Sequence, residues 1–407
     1  MRPLIGLLLV AALGASDVAR LEELVETRQL FLLREALQQR GWNTADTLLY
    51  RGIVESHFGQ ERKAIEDLTR FLAGRPSPAQ RRTAYDELAA ALARVGQYAA
   101  ANRNVTEALR LSPEGERADK VNTQHLYAAV AGVPPQSMAL EKDVPVRATF
   151  NELGSWNVPV DVNGQRGEWI FDTGANWSTL SAGEAARLGL ATRESDVTVG
   201  GSTGKQNALR LTVVPDLRLG RARVKNVIFL VLSDESLYVG PLKYQIRGIL
   251  GMPVLRALGR VGITANGDLR IEPERTERGA PNLFLDGWSA IVDVRHGERR
   301  TRMFLDSGAN VSLLYRSFRP ALTAEEIAGL AAKEEQVGGA GEVITRKTEA
   351  VPMLRLFVSG QPLDLSDISL LATEPQGDAR YRDGVIGADG LRVGFTLDFR
   401  AMRLILD

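Results

Sequence analysis

The chain has 407 residues, enough for two or three domains, and 44% of them are hydrophobic, which is ordinary for a soluble globular protein. Lysine plus arginine and aspartate plus glutamate each total 50, so there is no basic surplus to indicate a nucleic-acid partner. Cysteine is absent, which excludes disulfide bonds, and no run of about eighteen apolar residues predicts a membrane-spanning helix.

The N-terminus has the layout of a secretory signal peptide. Arg2 is followed by a short apolar stretch from residue 4 onward, which ends in the small residues Gly14, Ala15 and Ser16. We therefore expect residues 1–16 to be removed on export, leaving a periplasmic or secreted protein without a transmembrane span. A buried first helix is the alternative interpretation.

Residues 17–132 are rich in alanine, leucine, arginine and glutamate, with apolar residues at helical spacing. Residues 58–60 (Phe-Gly-Gln) recur as residues 95–97 (Val-Gly-Gln), at an offset of 37. This layout predicts an all-α domain of tetratricopeptide-like helix pairs, slightly longer than the usual repeat of about 34 residues. Such repeats would bind a protein partner; the alternatives are a helical spacer that packs on the rest of the chain and a removable pro-segment.

A duplicated motif follows the helical region. Residues 169–176 read Trp-Ile-Phe-Asp-Thr-Gly-Ala-Asn, and residues 303–310 read Met-Phe-Leu-Asp-Ser-Gly-Ala-Asn. Each is an apolar strand that ends on an aspartate in a tight, glycine-permitted turn. Asp172 and Asp306 are 134 residues apart, about the length of one domain. If the two turns face each other, their carboxylates share a site and cannot both ionise, so one keeps its proton.

The duplication extends to both sides of the motif. Trp156 and Trp288 begin matching strand–turn–strand patterns at an offset of 132 residues. Residues 248–251 (Gly-Ile-Leu-Gly) match residues 384–387 (Gly-Val-Ile-Gly), where glycines allow one strand to pass closely beneath another. Between these landmarks each half has a glycine-rich hairpin typical of a lid over a cleft. The candidate flap glycines are Gly200, Gly201, Gly338 and Gly339.

These patterns divide the chain beyond the signal peptide into five segments. A helical domain (residues 17–132) is joined by a linker (133–145) to a first β-rich lobe (146–272). A polar hinge with proline near both ends (273–282) leads to a second β-rich lobe (283–407). The predicted fold class is multidomain, with an all-α repeat in front of an all-β unit of two lobes.

The region from about residue 145 to residue 407 resembles the aspartic proteases of the retropepsin and pepsin type. Retropepsin-like enzymes use Asp-Thr-Gly-Ala, and pepsin-like enzymes place one motif in each of two homologous lobes. This sequence looks like a bacterial version with both lobes on one chain. The resemblance implies a bilobal acid-protease fold, with Asp172 and Asp306 as the catalytic dyad.

The resemblance also implies roles for the residues around the dyad. Thr173 and Ser307 would hydrogen-bond across it to the opposite loop, and Gly174 and Gly308 would place backbone N–H groups at the carboxylates. A hydrophobic-hydrophobic-glycine element would support each active-site loop. Its members in the two lobes are Ile249, Leu250, Gly251, Val385, Ile386 and Gly387.

The implied activity is that of an aspartic endopeptidase, which hydrolyses an extended peptide or protein with a water activated between two aspartates. No cofactor is expected. No metal is expected either, because His57, His125 and His296 are isolated and more typical of surfaces or helix contacts. Two alternatives stay open: an inactive peptide-binding protein that uses the same cleft, and a scaffold whose helical repeats bind the partner.

The residue after each Asp-Thr/Ser-Gly bears on the pH dependence. It is Ala175 in one loop and Ala309 in the other, so neither loop has a hydroxyl there to hydrogen-bond the carboxylate and favour its charged form. We therefore expect a less acidic optimum than pepsin-like enzymes have, nearer mildly acidic to neutral.

Overall fold

The computed structural model describes residues 15–40, 47–142, 144–200, 206–339, 342–373, 375 and 377–407. Helices fill the part before residue 130, and β-strands dominate the part after it, as the predicted fold class requires. No helix among the described residues is long and apolar enough to cross a membrane. The predicted signal peptide falls almost entirely on residues 1–14, which lie outside the described residues, and stays a prediction.

The helical domain contains two helix–glycine–helix pairs. Gly59 and Gly96 separate the helices of each pair, and both have a φ of 74°, a left-handed conformation that favours glycine. Ser77 begins the longest helix with a capping box that it forms with Gln80. The repeat at an offset of 37 residues therefore corresponds to repeated helical pairs, whereas their assignment as tetratricopeptide repeats stays a prediction. The helices are α1 (Ala15–Glu26), α2 (Leu30–Arg40), α3 (Leu48–His57), α4 (Glu61–Leu72), α5 (Pro78–Arg94), α6 (Tyr98–Leu111) and α7 (Arg117–Ala129).

The first lobe is built on a β-barrel. Its strands are β1 (Ser137–Leu140), β2 (Thr149–Phe150), β3 (Trp156–Val162), β4 (Gln165–Phe171), β5 (Ser178–Ser181), β6 (Arg193–Gly200), β7 (Gln206–Leu219), β8 (Ala222–Leu232), β9 (Tyr238–Val239), β10 (Tyr244–Gln245) and β11 (Gly248–Leu250). Two short helices, α8 (Ala182–Arg187) and α9 (Met252–Ala257), follow β5 and β11. The sheet order β8-β5-β11-β4-β3-β7 closes on itself because β7 also pairs with β8. The segment predicted as a linker (133–145) contains β1, which extends this sheet along β8.

The second lobe repeats the first. After β12 (Arg260–Thr264) and β13 (Leu269–Ile271), its elements are β14 (Leu283–Asp286), β15 (Ser289–His296), β16 (Arg299–Leu305), β17 (Leu313–Leu314), α10 (Ala324–Ala328), β18 (Ala331–Gly339), β19 (Glu342–Val358), β20 (Gln361–Leu371), β21 (Gly384–Ile386), β22 (Gly394–Asp398) and β23 (Arg403–Leu406). The order β15-β16-β21-β17-β20-β19 closes because β15 also pairs with β19. Each strand of this ring occupies the place of its sequence counterpart in the first lobe.

A small sheet of order β13-β12-β22-β23 joins the two lobes. Strand β12 of the first lobe pairs antiparallel with β22 of the second. Arg260 donates to the fully buried Asp398 at 3.1 Å within this sheet. Phe395 from β22 packs edge-on against Phe171, the last residue of the strand that leads to the first aspartate. The lobes therefore share a packed core directly below the duplicated motifs.

Of the three histidines, His125 is exposed on α7, whereas His57 and His296 are buried at contacts between elements. His57 is only 2% exposed and lies between the helical domain and the second lobe, where its Nδ1 is 2.5 Å from the carbonyl oxygen of Leu285. His296 is also buried, with Nε2 2.9 Å from Glu326. Both rings are buried because each has two polar partners, one backbone carbonyl and one carboxylate.

Candidate active site

Each aspartate of the duplicated motif is held at the end of a strand by the glycine element of its own lobe. Strand β11 runs parallel to β4, and β21 runs parallel to β16, so the glycine elements pass beside the motif strands as the sequence predicts. The backbone N–H of Asp172 donates to the carbonyl oxygen of Leu250 at 3.1 Å, and that of Asp306 donates to Ile386 at 3.0 Å. The same local geometry therefore occurs twice.

Two buried serines complete this support. The hydroxyl oxygen of Ser178 accepts a hydrogen bond from the backbone N–H of Gly251 at 3.0 Å. The hydroxyl oxygen of Ser312 accepts one from Gly387, also at 3.0 Å. The signal was present in the sequence, because both serines follow Asn-x in the duplicated motif and are themselves 134 residues apart.

The two active-site loops are tied together by a reciprocal network of four hydrogen bonds. The Thr173 hydroxyl donates to the carbonyl oxygen of Leu305 at 2.9 Å and accepts from the backbone N–H of Ser307 at 2.9 Å. The Ser307 hydroxyl donates to Phe171 at 2.7 Å and accepts from the backbone N–H of Thr173 at 3.0 Å. Thr173 and Ser307 are fully buried, so water cannot replace these bonds. The network fixes the spacing and orientation of the loops that carry Asp172 and Asp306.

This network leads to a stability prediction. Thr173→Val keeps the shape of the side chain but leaves the Ser307 N–H and the Leu305 carbonyl without their partner, and each such buried group costs about 1–3 kcal/mol. We expect the free energy of unfolding, measured by urea denaturation, to fall by about 2–4 kcal/mol. Thr173→Ser retains the hydroxyl and is the matched control. Equal stability of the valine variant and the parent would contradict the assigned role of the hydroxyl.

Gly174 and Gly308 each face the carboxylate of the opposite lobe. A Cβ added to Gly174 would lie 2.3 Å from Oδ1 of Asp306, and one added to Gly308 would lie 2.6 Å from both oxygens of Asp172. No side chain fits at either position without moving a carboxylate. The two aspartates therefore approach each other across a pair of glycines, as the face-to-face arrangement of the loops requires.

Backbone N–H groups donate to one oxygen, Oδ1, of each carboxylate. Oδ1 of Asp172 accepts hydrogen bonds from Gly174 at 2.7 Å and Ala175 at 3.2 Å. Oδ1 of Asp306 accepts them from Gly308 at 3.1 Å and Ala309 at 3.0 Å. These donors orient both carboxyl groups and favour their charged forms.

The electrostatics of the pair are dominated by burial. Burial raises the pKa of Asp172, and the negative charge of Asp306 beside it raises that pKa further, to about 8. Burial also raises the pKa of Asp306, but the backbone donors and the positive charge of Arg382 act against this increase. Because the two groups titrate together, the pair holds one shared proton over a wide pH range.

The candidate flaps are partly described. Gly200 is the last residue of β6 in the β6–β7 hairpin, and Gly338 and Gly339 end β18 in the β18–β19 hairpin. Gly201 lies outside the described residues. The helical domain touches the first hairpin, because the side chain of Asn122 on α7 bonds both the carbonyl oxygen (2.7 Å) and the N–H (2.9 Å) of Thr198.

A protein-family model matches the part of the chain that contains the first aspartate. Residues 158–254 contain Asp172 and the first glycine element, and they match the family model described as Aspartyl protease. The first lobe is similar to aspartyl proteases. A retropepsin-like aspartic protease from Rickettsia conorii has a crystal structure that matches at 19% sequence identity, over 33% of this chain and 94% of that one, with a TM-score of 0.24. No curated protein matches this chain.

Proposed function

We propose that the protein is an aspartic endopeptidase that hydrolyses peptide bonds with a water held between Asp172 and Asp306. The observation that carries the proposal is the reciprocal hydrogen bonding of Thr173 and Ser307, which brings two carboxylates to one site across a pair of glycines. The aspartyl protease match of residues 158–254 supports the same reaction class.

In the proposed reaction the two carboxyl groups have opposite roles. Asp306, which has the positive charge of Arg382 near it, takes a proton from the water while the water oxygen bonds to the scissile carbonyl carbon. Asp172 holds the shared proton and gives it to the carbonyl oxygen, which forms a tetrahedral gem-diol. Asp306 then protonates the departing amine as the C–N bond breaks, and Asp172 takes back the proton of the hydroxyl that becomes the new carboxyl group.

The proposed substrate is an extended peptide or an unfolded segment of a protein. Asn310 and Val311, directly after the second active-site loop, are exposed, and Val311 has 46% of its surface open. An extended chain can bind such a surface through its backbone and place alternate side chains in apolar contacts. The proposed specificity is therefore for apolar residues near the cleaved bond.

A peptide library tests the function directly. The purified protein is incubated with mixed peptides between about pH 3 and 8, a span that brackets carboxyl titration, and new termini are identified by mass spectrometry. Cleavage within peptide chains is the expected result. Binding of the same peptides without cleavage at any pH would instead favour the inactive peptide-binding alternative.

The raised pKa of Asp172 predicts a pH profile. We expect kcat/KM to be highest at mildly acidic to neutral pH and to fall as the pH rises through about 8, where Asp172 loses its proton.

The same raised pKa predicts that the free energy of unfolding also falls as the pH rises. The ordinary pKa of 3.8 applies in the unfolded chain, so the unfolded chain releases this proton at lower pH and the free energy of unfolding decreases as the pH rises from about 4 towards 8. Urea denaturation at several pH values checks this, and maximal activity below about pH 3 would contradict the assignment.

A further inference from the structure

A buried group of charges joins the helical domain to the first lobe. Glu61, the first residue of α4, is 3.3 Å from Nε of Arg94 and 2.6 Å from Nη2 of Arg256. The side chains of Glu61 and Arg94 are 5% and 1% exposed. Arg256 belongs to α9 of the first lobe, and its Nη1 also donates to the backbone oxygen of Arg94 at 3.2 Å. One carboxylate therefore binds guanidinium groups from two domains.

The same group of charges reaches the second lobe. Nη1 of Arg94 donates to the carbonyl oxygen of Gly287 at 3.0 Å, and Nη2 donates to Ser56 within the helical domain at 2.9 Å. Gly287 lies in the turn between β14 and β15. We call Glu61, Arg94 and Arg256 the junction triad, since these three side chains contact the helical domain and both lobes at one buried point.

Other contacts make this interface a packed core. His57 bonds Leu285 of the second lobe through Nδ1, and its Nε2 is 3.1 Å from Glu87 of α5. The ring of Phe284 lies 5.1 Å from that of Phe31 and 6.0 Å from that of Phe58. Buried aromatic rings packed across an interface are typical of a permanent contact.

Two contacts connect the junction triad with the first active-site loop, one through each lobe. On the first lobe, α9 begins at Met252, whose N–H donates to the carbonyl oxygen of Ala175 in the first active-site loop at 2.9 Å. On the second lobe, Gly287 precedes Trp288, whose ring is 6.0 Å from that of Trp177, just after the same loop. Tyr98 of the helical domain also packs on Trp177, at 6.1 Å.

We propose that the helical domain is a permanent clamp of the catalytic unit, and that the junction triad is its positioning element, which holds the two lobes at the spacing the dyad needs. The proposal rests on the proposed peptidase function for its kinetic consequence. It assigns the helical domain a place in the mature enzyme, in contrast to a pro-segment that is removed. The triad residues do not touch substrate; they act through α9 and the turn before Trp288.

The first experiment replaces the central carboxylate. Glu61→Gln leaves the guanidinium groups of Arg94 and Arg256 buried and close together without their counter-charge. The helical domain and the two lobes should therefore separate slightly. We expect kcat to fall about tenfold or more with KM nearly unchanged, because small errors in the placement of catalytic groups reduce turnover strongly. Glu116→Gln, at a surface ion pair with Arg82 inside the helical domain, is the matched control and should keep parental kinetics. An unchanged kcat for Glu61→Gln would overturn the proposal.

The second experiment cuts the chain after it has folded. A recognition sequence for a site-specific protease is inserted after Gly132, which is exposed in the turn following α7. We expect the two pieces to elute together on gel filtration and to keep parental turnover, and the same cut in Glu61→Gln to release the helical piece more readily. Release of the helical piece from the otherwise unchanged protein with full or increased turnover would show a removable segment and overturn the clamp.

A third measurement does not depend on activity. Because the chain has no cysteine, Leu242→Cys and Met353→Cys place one spin label on an exposed site of each lobe. Electron–electron double resonance should give one narrow distance distribution in the parent and a broader one in Glu61→Gln. If no peptide is cleaved by the parent, the peptidase proposal fails while this distribution still tests the clamp. Identical distributions in both proteins would overturn it.

Discussion

Asp172→Asn and Asp306→Asn should each reduce kcat for peptide cleavage by about 10³-fold or more, because an amide can neither take the proton of water nor supply the shared proton. Asparagine has the shape of aspartate and still accepts the hydrogen bonds that the loop N–H groups donate to Oδ1. The loss should therefore appear in turnover, while peptide binding measured by fluorescence anisotropy stays close to that of the parent.

The control for these variants is a surface aspartate. Asp364→Asn removes a carboxylate whose side chain is 47% exposed and pairs with Arg355 outside the site, so its kinetics should equal those of the parent. Cleavage at the parental rate by either Asp172→Asn or Asp306→Asn would contradict a shared role of the two aspartates. Equal loss in both variants is the signature of a pair that acts as a unit.

Gly174→Ala should reduce kcat by about 10²-fold or more, since displacement of a reacting group by about 1 Å has an effect of this size. The added Cβ would lie 2.3 Å from Oδ1 of Asp306 and 2.7 Å from its Oδ2, so the opposite carboxylate must move. The proton shared by the pair would then be held less tightly. We expect the fall in activity at high pH to begin below the parental value, because the charge of Asp306 would raise the pKa of Asp172 less.

A glycine in open space is the control for this variant. Gly240→Ala adds a methyl group with nothing within 4 Å of it, in a short turn of the first lobe, and should leave kcat and KM at parental values. Gly308→Ala should behave as Gly174→Ala does, because its Cβ meets Asp172 in the same way. Parental kinetics of Gly174→Ala would mean that the carboxylates are farther apart than in this structure.

The parts of the site that the sequence predicted are those with local, duplicated signals. Asp172 and Asp306 could be paired in advance because each has the same strand before it and the same glycine element after it. Hydrogen bonds of Thr173 and Ser307 to the opposite loop were implied by the family resemblance, and in the structure the backbone N–H of each residue donates to the hydroxyl oxygen of the other. Ser178 could have been found by the same comparison of halves, since it recurs as Ser312.

Other features have no local signal. The sheet between the lobes pairs Arg260–Thr264 with Gly394–Asp398, and nothing in either short apolar segment identifies a partner more than a hundred residues away. His57 looked isolated because its backbone partner, Leu285, is 228 residues distant in sequence. The favourable effect of Arg382 on the charge of Asp306 was equally invisible, since it depends on tertiary packing.

The interface between the helical domain and the lobes also has no local signal in the sequence. The apolar periodicity of residues 17–132 predicted helices but left open whether the domain binds a partner, packs on the lobes or is removed. The contacts of Arg94 with Gly287 and of Glu61 with Arg256 join residues from three separately predicted segments. Only the folded chain places these charges together.

A crystal structure with a bound substrate mimic tests the central claim most directly. The mimic is an extended peptide whose scissile amide is replaced by a secondary alcohol, which resembles the tetrahedral gem-diol and cannot be cleaved. The hydroxyl should lie within about 3 Å of an oxygen of Asp172 and an oxygen of Asp306 at once. A peptide bound elsewhere, or a hydroxyl that reaches neither carboxylate, would contradict hydrolysis by this pair.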